Sequence, residues 1–274
     1  MTMNSSTIDQ DKLQALVKDS LDLIAASLNN PELTLLDRVT VALKVLEMAG
    51  VYSQQIVESN HRLEALQPDI IQSTMPRLMI PPKFVQIDNF LSAEAHQTVL
   101  EISRNHQSEF FEAGIFNQAP DYRKSLVLLL KDLPDFYEMM RLKVLEFRPN
   151  VLEELGLSNF LVSFVEMQIT AHNDGGFYKI HSDADPNKAI NRVLSYVYYF
   201  YQEPRAFYGG ELRLYETHLI GDESTIQENF MMIQPRNNSI VFFDSRCKHE
   251  ILPVSCPSGD FAHSRFTVNG WVRR

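Results

Sequence analysis

The sequence predicts a mainly β domain with flanking helices, an α+β fold, preceded by a separate helical N-terminal region. Three observations carry this. Beyond about residue 84, short runs such as Phe84-Val85-Gln86-Ile87-Asp88 and Ile240-Val241-Phe242-Phe243 are rich in β-branched and aromatic residues and are bounded by Gly, Pro, Asn and Asp. Arg265-Phe266-Thr267-Val268-Asn269-Gly270-Trp271-Val272 alternates polar and apolar residues, the period of a half-buried strand. Before about residue 75 the apolar period is helical instead, with Leu13, Leu16, Val17, Ile24 and Leu28 on one stripe.

That stripe predicts a helix from Asp9 to Asn29. Thr34-x-x-Asp37 resembles a capping box, and Val41, Val45 and Met48 lead to Gly50 as the stop of a second helix; a third runs from about Tyr52 to Leu66. Pro68, Pro76, Pro81 and Pro82 then read as a linker, dividing the chain into a helical region, 1–75, and a β domain, 76–274. The helical region lacks a basic recognition helix, which argues against a helix-turn-helix. Dimerisation, giving a homodimer through these helices, or substrate docking is the expected role, with simple packing onto the β domain as the alternative. Within the β domain, Ser92 caps a helix through about Arg104, and Leu133 to Phe147 forms another, both placed to cover a sheet face. Phe110 to Arg123 lacks regular periodicity and is expected to be a flap that orders over a site and excludes water.

Two His-x-acid pairs occur. With 8 His and 35 acidic residues in 274, about one such pair arises by chance, so context must separate them. His172 runs into Asn173-Asp174-Gly175-Gly176, a string of turn formers, so its pair straddles a strand end. His181-x-Asp183 follows Gly176-Phe177-Tyr178-Lys179-Ile180, where a strand restarts, and residues two apart on a strand share a face. Downstream, Gly209-Gly210 opens a strand through Tyr215, Pro235 to Ser239 forms a turn, and His249 follows the apolar run Ile240 to Phe243. On the last strand Arg265, Thr267, Asn269 and Trp271 share a face.

Two imidazoles and a carboxylate are ligands of intermediate hardness that suit one face of an octahedral Fe(II), leaving positions open for a co-substrate and dioxygen. A downstream Arg such as Arg265 can then anchor a co-substrate carboxylate. Each residue also has a plainer reading. His249 alone is a surface or hydrogen-bonded histidine, Arg265 a surface ion pair, and the Tyr196, Tyr198, Tyr199, Tyr201 cluster a strand core. A zinc site at Cys247-x-His249 is disfavoured because no second Cys pair lies nearby.

Together, Tyr178-x-x-His181-x-Asp183, Arg192-Val193-Leu194-Ser195-Tyr196-Val197-Tyr198-Tyr199, Gly209-Gly210-Glu211-Leu212, Phe242-Phe243-Asp244-Ser245-x-x-x-His249 and Arg265-x5-Trp271 resemble the prolyl 4-hydroxylase-like branch of the 2-oxoglutarate and Fe(II)-dependent dioxygenases, in family order over residues 80–274. The resemblance implies a double-stranded β-helix, or jelly roll, core. It implies His181, Asp183 and His249 as iron ligands and catalytic residues, and Arg265 as the partner of the distal carboxylate of 2-oxoglutarate. Tyr199 would reach the same carboxylate. Tyr178 would lie close to the co-substrate, and Asn269 and Trp271 would line the same pocket. Arg192 and Trp271 are also candidate substrate contacts, each equally readable as structural. Fe(II), 2-oxoglutarate and O2 are the implied cofactors, with ascorbate in support. The sixteen positions from His249 to Arg265 exceed the family's usual spacing, and Cys256 to Asp260 accommodates the excess as a loop.

The implied reaction is hydroxylation of a C–H bond in a prolyl or other amino-acid residue of a peptide or protein, or in a free amino acid, with release of succinate and CO2. The presence of Asp183 favours this over halogenation, since related halogenases carry a small residue there. Desaturation or ring closure, and a catalytically silent jelly-roll module, remain alternatives. At 45% hydrophobic the chain can bury a full core, and a net charge of -10 argues against nucleic acid as partner. Two cysteines and the lack of a long apolar run suggest a cytoplasmic protein with no membrane association.

Overall fold

The computed structural model describes residues 77–113, 122–130, 133–184, 191–220 and 223–274. The three N-terminal helices, with their expected dimer or docking role, and the central part of the expected flap, residues 114–121, lie outside the described residues. The strands up to the middle of the domain are β1 (Arg77–Ile80), β2 (Phe84–Asp88), β3 (Phe111–Glu112), β4 (Arg123–Lys124), β5 (Leu126–Leu129), β6 (Phe164–His172), β7 (Phe177–His181) and β8 (Arg192–Phe200). They are followed by β9 (Tyr208–Gly209), β10 (Leu212–Ile220), β11 (Glu223–Ile233), β12 (Ser239–Asp244), β13 (His249–Ile251), β14 (Val254–Ser255) and β15 (Arg265–Arg273). Two α-helices are described, α1 (Ala93–Asn105) and α2 (Pro134–Leu155).

One sheet runs β2-β12-β8-β15-β6-β5-β3 and the other β1-β10-β13-β7-β4, with β11 also paired to β10 and a small β9-β14 pair beside them. The pairings are antiparallel. The central strand β8 explains why its sequence reads as nearly continuous apolar residues, for both of its faces are buried. Tyr196, Tyr198 and Phe200 point to one core with Phe242, Phe266 and the helix residues Val99, Leu100, Met140 and Val144. Val197 and Tyr199 point to the other, between the sheets, with Leu212, Leu214, Val241 and Phe243. Rings of Tyr198, Phe200 and Phe266 stack in sequence at 5.8 and 5.5 Å. Burying each such side chain contributes about 1.5–3 kcal/mol. The two helices therefore cover the outer face of the seven-stranded sheet, as the sequence suggested.

Ser92 caps α1, its Oγ accepting from the Ala95 N–H at 3.2 Å. Helix α2 overruns its expected end at Phe147. The backbone continues through Pro149, because Val151 and Leu152 are buried against the sheet, and stops only at Gly156, where φ is +74°. The expected proline-marked linker also needs correction. Arg77–Ile80 pairs with Thr217–Ile220 as an edge strand, a position compatible with the prolines that follow it. Among the described residues no helix is long and apolar enough to cross a membrane.

Candidate metal centre

His181 ends β7 and His249 begins β13, and the two are direct partners in the antiparallel ladder. Their rings lie 4.2 Å apart. Asp183 stands just beyond the end of β7 rather than on it, as the sequence pattern had placed it. The turn there is fastened by the N–H groups of Asp183 and Ala184, which donate to the Ser245 carbonyl at 3.0 and 2.9 Å. Asp183 Oδ1 lies 3.8 Å from His181 Nε2, and Oδ2 lies 3.5 Å from His249 Nε2. One ligand atom from each residue falls within 4.8 Å of the others. The carboxylate-to-imidazole separations are too long for good direct hydrogen bonds, as suits ligands spaced around a common ion.

The imidazole tautomers are set from behind. His181 Nδ1 is 2.8 Å from the Lys179 carbonyl and His249 Nδ1 is 3.0 Å from the Cys247 carbonyl. A carbonyl only accepts, so each Nδ1 carries the proton and each Nε2 offers its lone pair to the centre. Burial, then the neighbouring His249, hold the His181 pKa down to about 3. Burial alone would raise Asp183, but His249, His181 and hydrogen bonds from Ser195 and Trp271 outweigh it and lower its pKa. His181 is thus neutral and Asp183 ionised at neutral pH, and together with the Nε2 of His249 they can hold a divalent cation.

Two expected results follow from this arrangement. Ser195 Oγ donates to Asp183 Oδ2 at 2.7 Å and lies 2.9 Å from Ser245 Oγ. Ser195→Ala removes that aim and is expected to weaken Fe(II) binding by about 10–100-fold in anaerobic titration; unchanged affinity would count against the positioning role. Second, His181 and the buried His172 both have folded pKa values below the ordinary histidine value. The unfolded chain then binds protons first, so their contribution to stability is intact above about pH 6.5 and is lost as pH falls toward the folded value. Melting of the iron-free protein should move to lower temperature between pH 7 and 5, and a flat profile would contradict the assignment.

A second cluster lies deeper between the sheets. Arg265 begins β15 and is wholly buried, with its guanidinium carbon 4.9 Å from the Tyr199 ring centre. Its Nη1 makes a long 3.5 Å contact with His172 Nδ1, the partner residue across the ladder. Burial, then the charges of Arg265 and Arg123, keep His172 neutral, so it accepts without repelling the guanidinium. Arg265 Nε and Nη2, Tyr199 Oη and Thr267 Oγ1 are buried with no hydrogen-bond partner among the described residues. Burial raises the Tyr199 pKa despite Arg265, so its hydroxyl remains a donor. Such unmade bonds are costly unless a ligand completes them, and this donor set fits a carboxylate. The backbone leaves just enough space for the guanidinium: Gly210 has φ +73°, and a Cβ there would stand 2.5 Å from Arg265 Cδ.

Arg265 and His172 line the same cavity, of about 720 Å³, as His181, Asp183 and His249. Tyr178 stacks on His181 at 3.6 Å, and Asn269 donates to Thr170 Oγ1 at 3.0 Å. Arg192 lies 3.7 Å from the Trp271 ring centre and is gripped by Glu166 through bonds of 2.9 and 2.6 Å. The residues singled out in the sequence thus converge, with Tyr199 placed against Arg265. The sequence reading missed the parts played by His172, Ser195 and Thr267, although the last two sit at period-two positions from Tyr199 and Arg265 on their strands. Arg123 and Glu166, which also line the cavity, carried no local signal.

Residues 167–273 match the family model described as the 2OG-Fe(II) oxygenase superfamily. A protein of Synechocystis described as an uncharacterized PKHD-type hydroxylase is 38% identical over 282 residues, spanning 96% of this chain and 93% of that one. The chain belongs to the 2-oxoglutarate- and Fe(II)-dependent oxygenase superfamily and is a dioxygenase of the hydroxylase type. Its fold is similar to a prolyl-4-hydroxylase of Pseudomonas putida, with TM-score 0.51 and 20% identity, covering 70% of this chain and 92% of that chain. It is also similar to a Trichoplax adhaerens prolyl hydroxylase solved with a hypoxia inducible factor peptide, with TM-score 0.53 and 17% identity, covering 81% and 93%. At those identities the likeness is one of fold, and it makes the two facing sheets a jelly roll.

Proposed function

We propose that this dioxygenase hydroxylates an unactivated C–H bond in a prolyl or other amino-acid residue of a peptide or protein, or in a free amino acid, converting 2-oxoglutarate to succinate and CO2. His181, Asp183 and His249 hold the iron, and Arg265, Tyr199 and Thr267 hold the distal carboxylate of 2-oxoglutarate. The observation that carries this reading is the set of partnerless buried donors at and beside Arg265, a residue that lines the same cavity as the two imidazoles and the carboxylate. When bound, iron with 2-oxoglutarate and O2 supplies the oxidising power.

The protein supplies aim and dryness. Lys179 and Cys247 carbonyls orient the imidazoles, Ser195 orients Asp183, and Arg265 fixes the far end of the diacid so that its other end faces the three ligands. Asp183 fills the carboxylate position, which supports hydroxylation over halide transfer. A cavity of about 720 Å³ exceeds what a five-carbon diacid needs, leaving room for an amino-acid residue. A peptide substrate is further supported by the prolyl hydroxylase of similar fold that was solved with one.

The test is succinate release with Fe(II) and 2-oxoglutarate, alone and with prolyl peptides and free amino acids. A rise with one class, and a product carrying one added oxygen, would bear the proposal out. A product lacking two hydrogens would favour desaturation or ring closure. No succinate, and no visible charge-transfer band when Fe(II) and 2-oxoglutarate are added without air, would leave a silent module.

A further inference from the structure

Arg123 lines the same cavity as Arg265 and Arg192, and none of the roles above employs it. It is held firmly. Strand β4 pairs with β7 so that Arg123 faces Tyr178 across the ladder. Its Nε donates to Ser125 Oγ at 2.7 Å, and its guanidinium carbon stands 4.7 Å from the centre of the Tyr178 ring, which in turn stacks on His181 at 3.6 Å. The cation is therefore one aromatic ring away from a proposed iron ligand.

Among the described residues, the acidic side chains that line this cavity are already engaged. Glu166 is taken by Arg192 at 2.6 Å and by Arg273 at 3.3 Å. Asp183 is one of the three converging ligands and accepts from Ser195. Among the described residues Arg123 makes no ion pair within 4.0 Å. Burial lowers its pKa, opposed by Tyr178 and by the charge of Asp183, so holding this cation in place costs free energy that, among the described residues, no paired carboxylate removes. A guanidinium that donates at Nε to Ser125 Oγ and also engages the Tyr178 side chain keeps further N–H groups with which to take a carboxylate. Arg265 already serves the far end of the co-substrate in the reading above, and the near end faces the metal. The remaining occupant is the molecule to be oxidised.

We propose that Arg123 is the substrate anchor and that the substrate presents a carboxylate to it, either a free α-carboxylate or an acidic side chain. This deepens the functional reading above and rests on it. The shared chemistry is a carboxylate held next to the reacting residue, so that the C–H bond is oriented from one side by Arg123 while 2-oxoglutarate is oriented from the other by Arg265.

The experiment uses the full chain with Fe(II) and 2-oxoglutarate, without air. N-acetyl amino acids are added as free acids and as amides, and the shift of the visible charge-transfer band gives each dissociation constant. Free acids, or the amides of Asp and Glu, should bind roughly 10–100-fold more tightly than the other amides. Preference for free acids names a terminal carboxylate, and preference for the Asp and Glu amides names an acidic side chain. Arg123→Gln should erase the difference, and Arg123→Lys should restore part of it, while the affinity for 2-oxoglutarate holds in both. The inference is overturned if acids and amides bind alike, if none binds, or if Arg123→Gln weakens 2-oxoglutarate instead. A missing band in the native protein would strike the underlying oxygenase site, not this anchor.

Discussion

His181→Ala should abolish iron-dependent succinate formation while leaving the fold intact. His181 contributes one of three converging ligand atoms, and its Nδ1 is engaged with the Lys179 carbonyl so that Nε2 is the atom offered; alanine supplies no ligand atom in its place. Losing an outer partner of a metal ligand costs about 10–100-fold in affinity or activity, and loss of the ligand itself should exceed that range. Iron per chain and succinate release are the two readouts, with circular dichroism and melting as controls. The variant also removes the ring on which Tyr178 stacks, a contact worth at most about 1.5 kcal/mol, so unfolding is not the expected outcome. Turnover retained by a folded variant would remove His181 from the ligand set.

Arg265→Met should separate stability from binding. In the ligand-free protein Arg265 is a wholly buried cation with two of its nitrogens unpartnered among the described residues. Replacing a buried charge by an apolar side chain of similar length is often neutral or stabilising, because the desolvation cost disappears. The melting temperature without 2-oxoglutarate is therefore expected to hold or rise. The affinity for 2-oxoglutarate should fall by about 30-fold or more, as expected when one partner of a buried charge pair is lost. The rise in melting temperature that the co-substrate gives the native protein should vanish with it. A variant that melts much lower without ligand would show Arg265 to be structural, and one that still binds 2-oxoglutarate tightly would remove it from the carboxylate cradle.

Much of this molecule could be read from residue order because strand periodicity and turn chemistry are local. Arg265, Thr267, Asn269 and Trp271 were placed on one face by alternation, and the ladder with β6 and β8 keeps them there. The His172 pair fell at a strand end because Asn173 to Gly176 reverse the chain. What stayed hidden depended on contacts between distant segments. The sequence reading ended this helix at Phe147, yet burial of Val151 and Leu152 carries α2 on through Pro149. Arg77 to Ile80 looked like linker because only its partner β10, far along the chain, makes it a strand. His172 looked expendable once it was not a ligand, and only the ladder sets it beside Arg265. Arg123 lay at the end of an aperiodic stretch, with nothing nearby to tie it to Tyr178.

The spacing Tyr178-x-x-His181 is itself odd for a strand, since residues three apart normally face opposite sides. The ladder between β7 and β13 absorbs the mismatch: His249 stands opposite His181, but Ile251 stands opposite Tyr178, so β7 carries one residue more than its partner. That surplus residue brings the phenol ring round onto the imidazole. Shortening β7 by one residue would let the hydrogen-bonded pairs run evenly and would turn the tyrosine outward. That uneven seam sets the Tyr178 ring against His181, with the Arg123 guanidinium carbon 4.7 Å from the centre of the same ring.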